Sequence, residues 1–403
     1  MAPPPRDGGP LSGFRVVDFT ENMAGPFGTM ILGDQGADVI KVESLRGDAI
    51  RSTGTSHKGM SAYFANLNRS KRSIALDLRR AETRDLVESL VDTADVVVHS
   101  FRPAAAERLG VDAPTLTRGR PALVHASIVG FGTEGPFAGR AVYDHVIQAV
   151  SGMADLQGAG GEPSLVRHGL VDKSTGFALA QAICAALLRR SRTARGESVT
   201  VNMLDTAIAF LWPDGMMNHT IAEPDEPGPP AAATYRLTPT KDGHVAMMTV
   251  TPSQWQSLID AFELHDAGTS RGEILRAARR RLAELTTDEA VEALTAHDLA
   301  CGPVVRMDDV ADHPQVRANG ILREAVHPLL GSVRQPRPAP VMDGVDPAEL
   351  RFAPVLGEHT EEVLTELGVS GPGIRALADS GAIGCAGHDP ARPRSSTAPS
   401  MSP

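Results

Sequence analysis

The stretch Gly169-Leu-Val-Asp172-Lys-Ser-Thr-Gly176, with Tyr143-Asp144 upstream, holds the residues best placed to do chemistry. Asp172 is a lone carboxylate where a turn opens into a long apolar segment, and the nearest histidine, His168, lies across Gly169. A carboxylate set this way can act as a nucleophile without a partner base. The plain alternative is an N-cap, since Asp before Ser/Thr commonly accepts a backbone N–H at a helix start. The functional reading has the positive end of the helix keep the carboxylate ionised and aimed at a substrate. Asp144, taken by itself, reads as the cap of its own helix.

Other chemistries find no matching pattern. Gly158-Ala-Gly160-Gly161-Glu-Pro163 is rich in glycine but lacks the third spaced glycine of a dinucleotide fingerprint, so it reads as a flexible loop. GxxxxGK[ST], HExxH and GxSxG are absent, which sets aside phosphate-loop, zinc-hydrolase and serine-hydrolase readings. Basic residues gather at Asn68-Arg-Ser-Lys71-Arg72-Ser and at Arg102 and Arg108. They are either a solvated surface or a phosphate site in a loop. His57, Lys58, Arg140 and Arg167 could grip a carboxylate, or be ordinary exposed charges.

These residues need a frame. Arg15–Thr20 reads as a strand, Gly25 to about Gln35 as a helix and Asp38–Glu43 as a strand, which makes a parallel βαβ unit. Helix 83–93 and strands Asp95–His99 and Leu123–Val129 continue the pattern. A long helix is expected from about Ser174 to Arg192, with Phe177, Ala180, Cys184 and Leu187 on one face and Arg189, Arg190 and Arg192 at its negative end. Gly196 would stop it, and Ser198–Asn202 returns as a strand. The expected domain plan is a Pro/Gly-rich disordered start at 1–10, a large domain at 11–221 and a linker at 222–233. A smaller α+β domain at 234–339, a return to the large domain at 340–384 and a disordered tail at 385–403 complete it. Within the small domain, strand Gly243–Thr249, helix 252–263 and helical stretch 270–297 are expected.

The 403 residues carry a formal net charge of −10, with Lys and Arg spread along the chain, so a nucleic-acid partner is not expected. No run suggests a signal peptide or a membrane span, and Cys184, Cys301 and Cys385 have no paired spacing. The expectation is reduced thiols in a cytoplasmic protein without a metal site.

Ordered along the chain stand Leu11-Ser-Gly-Phe-Arg-Val-Val-Asp18, Ala24-Gly-Pro-Phe27, Gly36-Ala-Asp-Val-Ile-Lys-Val-Glu43 and Asn68-Arg-Ser-Lys-Arg-Ser-Ile74. Phe101-Arg-Pro103, Glu107-Arg-Leu-Gly110, Gly132-Thr-Glu-Gly-Pro136, Cys301-Gly-Pro-Val304, Asp312-His-Pro-Gln-Val-Arg317 and Leu356-Gly-Glu-His-Thr360 follow. From about Leu11 to Leu377 the chain resembles the class III CoA-transferases, the CaiB/BaiF family, which includes formyl-CoA and carnitine CoA-transferases. The resemblance implies a Rossmann-like large domain built from both chain ends, an inserted small domain and an interlocked homodimer. It also implies Asp172 as nucleophile, with Asp144 in support, and no permanently bound cofactor, the coenzyme A thioester being a substrate. CoA would bind near Lys71, Arg72, Phe101 and Arg108. Ser100 stands where formyl-CoA transferase has an asparagine, and Met23 where the family has a glutamine that bears on the acceptor.

The family also contains α-methylacyl-CoA racemases, which need two acid/base groups for α-proton exchange. Their Gly-His-Asp segment is Val142-Tyr143-Asp144 here, and their glutamate is Thr251. Tyr143, with an ordinary pKa of roughly 10, is a poor base at neutral pH. Asp172 alone suits acyl transfer better, with backbone amides at 25–28, 158–161 or Thr175-Gly176 as candidate oxyanion donors. A catalytically silent CoA-binding protein is the third reading.

Overall fold

The computed structural model describes residues 9–158, 161–226, 228, 229, 233, 235–342 and 351–386. The expected disorder at 1–8 and 387–403, part of the linker and the Ala159-Gly160 pair lie outside them. The chain divides into two compact units, one of Met1–Phe210 with Ile321–Pro403, the other of Leu211–Gly320. The division thus falls before the expected linker at 222–233 and before the expected return at 340. The antiparallel hairpin Leu322–His327 and Gly331–Pro336, expected in the small domain, lies in the large unit.

The large unit is built on a seven-stranded sheet. Its strands are β1 (Arg15–Phe19), β2 (Asp38–Glu43), β3 (Lys71–Leu76), β4 (Val96–His99), β5 (Val124–Val129), β6 (Ser198–Asn202) and β7 (Ile383–Gly384). The order is β7-β3-β2-β1-β4-β5-β6, parallel throughout except for β7, which pairs antiparallel with β3. Near-continuous Val/Ile runs such as Val96-Val-Val98 are what a sheet covered on both faces requires. Val17, Phe19, Ile40, Ile74, Val97 and Leu90 pack in the main core, joined by Val363, Leu364 and Ile374 from the far end of the chain. β3 corrects the sequence reading, which put the basic cluster in a loop.

The strand order reverses between β1 and β4. In open parallel sheets the crevice outside the carboxyl ends of two such strands is where ligands bind. Helix α1 (Ala24–Asp34) leaves β1 there, and α2 (Pro103–Leu109) leaves β4. Helix α3 (Asp144–Val150) and the long α4 (Leu170–Thr193) complete the surroundings. α1 packs on α4 through glycines: a Cβ on Gly28 would come within 2.8 Å of the Gly176 carbonyl oxygen, and one on Gly176 within 2.7 Å of that of Ala24.

α4 begins four residues before the expected Ser174. It buries Val171, Thr175, Leu179, Ala180, Ile183, Ala186 and Leu187, whereas Phe177, expected on one face with Ala180, Cys184 and Leu187, is 59% exposed. Its end is set by Ala194 in left-handed conformation (φ 56°), two residues ahead of Gly196. By length and apolarity α4 could cross a membrane, contrary to the sequence reading, but 44% of its apolar window is buried inside the protein. That burial against α1 makes it a core helix.

The second unit has a three-stranded antiparallel sheet of 237–239, 244–248 and 300–303. Helices Pro252–Ala261, Arg271–Leu282 and Thr287–Ala296 pack around Val245, Leu258, Ala278 and Leu294. The stretch expected as helical over 270–297 is two helices, each opened by a capping box at Ser270 and Thr286.

Candidate active site

A cleft of about 380 Å³ opens at the strand-order reversal. The segment after β1 lines it with Glu21–Gly25, the segment after β4 with Ser100–Pro103, and the end of β5 with Ile128–Gly130. The glycine-rich loop to α3 adds Phe131, Gly139, Arg140 and Tyr143, and α4 contributes Asp172. Of the nine residues singled out in the sequence, Asp172, Ser100, Phe101, Met23 and Tyr143 are therefore brought together here.

Asp172 is not an N-cap. The cap of α4 is Gly169, which makes no side-chain capping bond, and Asp172 is the third residue of the helix. Its carboxylate oxygens accept no hydrogen bond among the described residues. The backbone N–H of Asp172 instead donates to Oδ2 of Asp144, at 2.9 Å. Asp144, buried at the start of α3, thus caps a helix other than its own. Its Oδ1 accepts from the Gln148 amide, and Gln148 Oε1 accepts from the Val166 N–H at 2.9 Å. The chain approaching α4 is fixed by the same pair of side chains. Gly169 lies close under Met23: a Cβ there would come 2.5 Å from the Met23 sulfur, so the methionine side chain would have to shift.

Burial pushes the Asp172 carboxyl up to about 7, with the Asp144 charge adding to the rise and Lys173 opposing it. Against the helix end, which was expected to keep this carboxylate ionised, desolvation and a neighbouring like charge work in the opposite sense. Tyr63 is raised by its burial and then by Asp172, Asp144 and Asp48.

Two residues assigned to CoA by sequence are elsewhere. Lys71 opens β3 fully buried, its Nζ donating to Asp18 Oδ2 (3.0 Å), the Pro26 carbonyl (3.0 Å) and Asn68 Oδ1 (2.9 Å). Arg72 points to the opposite side of the strand, paired with Asp38, Glu362 and Glu366. Neither lines the cleft, and each is held in ion pairs of its own. Arg108 is exposed at the end of α2 and Arg102 lines the cleft. Arg140, weighed in the sequence as an ordinary charge, also lines it, stacked 3.9 Å over Phe137. Glu21, exposed at the cleft wall, was overlooked; partial desolvation there raises its carboxyl, the Asp48 charge adds to the rise and Lys41 opposes it. No motif marks Glu21, only its place just past an apolar strand.

Among the candidate amide donors, Thr175 and Gly176 lie within α4, where their N–H groups are spent on the helix. The Gly158 N–H donates to Asp155. At the start of α1, Ala24 and Gly25 carry first-turn N–H groups with no helical acceptor, and both residues line the cleft. Thr251, which replaces the racemase glutamate, is the capping residue of its helix, bonded to the Gln254 N–H. Among the described residues no cluster of His, Cys, Asp or Glu could hold a metal ion.

The sequence profile of CoA-transferase family III matches residues 11–360. The succinyl-CoA:glutarate CoA-transferase of Homo sapiens is 30% identical, over 89% of this chain and 86% of the relative. The succinyl-CoA:mesaconate CoA-transferase of Haloarcula marismortui is 33% identical, over 90% of this chain and 97% of its own. The crystal structure of a CAIB/BAIF family protein from Brucella suis superposes with a TM-score of 0.77 at 30% identity, covering 90% of this chain and 100% of that one. With a profile match over most of its length, a mostly parallel sheet of the same kind and a carboxylate free in the crevice where that sheet reverses, the chain belongs to CoA-transferase family III.

Proposed function

We propose that the protein moves coenzyme A from an acyl-CoA thioester to a small carboxylic acid, with Asp172 as nucleophile. The observation that carries this reading is the Asp172 carboxylate: it lines the cleft, accepts no hydrogen bond among the described residues, and has its backbone anchored by Asp144. In the first step a carboxylate oxygen of Asp172 attacks the thioester carbonyl carbon. The C–S bond breaks, CoA leaves as thiolate, and a mixed anhydride joins Asp172 to the acyl group. The thiolate then attacks the aspartyl carbonyl, releasing the donor acid and leaving CoA on Asp172 as a thioester. The incoming carboxylate attacks that carbonyl in turn, expels the thiolate, and the thiolate takes the new acyl group. Asp172 is regenerated, and no proton or electron is left over.

Each attack places negative charge on a carbonyl oxygen. The N–H groups of Ala24 and Gly25 are the donors we assign to it, each worth roughly 10²–10³ in rate where geometry is good. Phe101, Ser100, Arg102 and Arg108 are assigned to the CoA moiety, and Met23, Tyr143 and Arg140 to the acceptor. That named relatives use glutarate and mesaconate supports a dicarboxylic acceptor here, with Arg140 on the distal carboxylate. A homodimer is part of the proposal and is read directly by light scattering.

Against α-proton exchange stand Thr251, committed to its cap, and Tyr143, 61% exposed, whose hydroxyl has no hydrogen-bond partner among the described residues. The deciding test is mass spectrometry of products formed in D₂O from acyl-CoAs and dicarboxylic acids. A new acyl-CoA built on the added acid, lost in Asp172→Asn, is expected. Deuterium at the α-carbon without any exchange of CoA would overturn the assignment.

A further inference from the structure

Behind the cleft lies a set of charges that the proposed reaction leaves unused. Asp18, Lys41, Asp48 and Lys71 have side chains that are essentially unexposed. They form two ion pairs, Lys41 Nζ to Asp48 Oδ2 at 3.1 Å and Lys71 Nζ to Asp18 Oδ2 at 3.0 Å. Buried pairs of this kind add little stability, since desolvating the charges offsets their attraction. What else they bond to is informative.

Lys41 Nζ donates to the Thr20 carbonyl at 2.7 Å, and Lys71 Nζ to the Pro26 carbonyl at 3.0 Å. Asp18 Oδ1 accepts from the Thr20 N–H at 2.9 Å, and Asp48 Oδ1 from the Asn22 N–H at 3.3 Å. Thr29 adds a hydroxyl donated to Asp18 Oδ2 at 2.6 Å, and Asn68 completes the shell of Lys71. Four charged side chains from β1, β2, β3 and the segment after β2 thus converge on one stretch of backbone, Thr20–Pro26. Within that stretch Asn22 is held at φ 66°, a conformation a side chain other than glycine rarely adopts. Its other face, Glu21 to Gly25, lines the cleft.

We infer that Lys41 and Lys71, with their aspartates, are positioning residues that fix the Thr20–Pro26 backbone so that the Ala24 and Gly25 N–H groups stay aimed into the cleft. The inference rests on the reading of the cleft as the acyl-transfer site. Fixed donors matter because an oxyanion is stabilised by dipoles already in place, not by ones that reorganise during the reaction. The basic Lys71 region, which the sequence left as either a solvated surface or a phosphate site, then serves the substrate through the main chain.

The test compares wild type with Lys41→Met/Asp48→Asn and Lys71→Met/Asp18→Asn, which remove each ion pair without stranding a charge. Thr29→Val is the mild companion; it deletes one bond to Asp18 and keeps shape and net charge. Hydrogen–deuterium exchange of peptides spanning 20–27 is measured without substrate, together with kcat and KM for acyl-CoA. The expected result is faster exchange confined to that stretch and a kcat lowered about 100-fold in either double variant, of the order of one oxyanion donor. KM for acyl-CoA should stay within about threefold. For Thr29→Val the same pattern is expected at up to about tenfold in kcat. If a double variant does not fold, Thr29→Val alone decides. Folded variants with unchanged exchange and kcat, or with losses confined to KM, overturn the inference. A wild type that transfers no CoA to any acid would fail the acyl-transfer reading instead, and the exchange data would still judge the clamp.

Discussion

Replacing Asp172 by Asn should stabilise the protein, by an amount that depends on pH in a defined way. Burial and Asp144 lift this carboxyl from an ordinary 3.8 to about 7. Between those values the folded chain holds a proton that the unfolded chain has released. The contribution of Asp172 to the unfolding free energy therefore falls as pH rises from about 4 to 7 and is level above. Three units at about 1.4 kcal/mol each give about 4 kcal/mol, which the partial exposure of Asp172 trims to about 2–4 kcal/mol. Asn has nearly the same shape and no charge to desolvate, so it escapes this penalty. At about 1–2 °C per kcal/mol for a protein of this size, the variant should melt roughly 2–8 °C above wild type at pH 8. The assay is thermal unfolding of both proteins from pH 5 to 8.5. The gap in Tm should widen up to about pH 7.5 and then hold, while transfer activity is lost. A gap that is constant across that range, or closes as pH rises, would refute the account of Asp172 as a desolvated carboxylate.

Other outcomes follow from the same geometry. In wild type, kcat/KM for acyl-CoA should fall on the acid side through about pH 7, because the nucleophile must be ionised, and Asp144→Asn should move that limb to lower pH by removing the neighbouring charge. Gly176→Ala places a methyl 2.7 Å from the Ala24 carbonyl and 3.1 Å from the Gly28 nitrogen, so forcing α1 from α4 should cost about 1–3 kcal/mol in denaturant unfolding and lower kcat. Arg102→Ala should raise KM for acyl-CoA about tenfold, a loss of about 1.4 kcal/mol, with kcat nearly kept. Arg72→Gln should leave KM unchanged, since its guanidinium is held by Asp38, Glu362 and Glu366.

The βαβ start, the strands at 96–99, 124–129 and 198–202 and the long helix were legible because apolar runs and glycine punctuation are local signals. The position of Asp172 was legible, its environment only in part. The helix start was misread because Gly169 caps α4 without a side chain, so Asp172 looked like the capping residue. Its actual cap, Asp144, comes from 28 residues away, which no local pattern reveals. Lys71 was misplaced for a like reason: a run of Asn, Arg, Ser, Lys and Arg reads as a surface loop. It is a strand whose lysine is neutralised by Asp18, 53 residues earlier. Charges converging on a buried site are a property of the fold, visible only once the strands are paired.

The antiparallel strand β7 has a consequence for how the protein is made. It covers the free edge of β3 at Leu76 and Ala75, and with Val363, Leu364 and Ile374 it completes the main core. During synthesis at about 5–20 residues per second, the roughly 300 residues between β3 and β7 take about 15–60 s to follow. Through that interval the nascent β3 presents unpaired backbone groups beside an unfinished core, a template for wrong pairing. Ribosome-bound chains stalled before residue 351 should therefore be cut by protease within β3, and chains stalled well past residue 386 should resist. The large unit becomes a finished object only once the segment that carries β7 has been made.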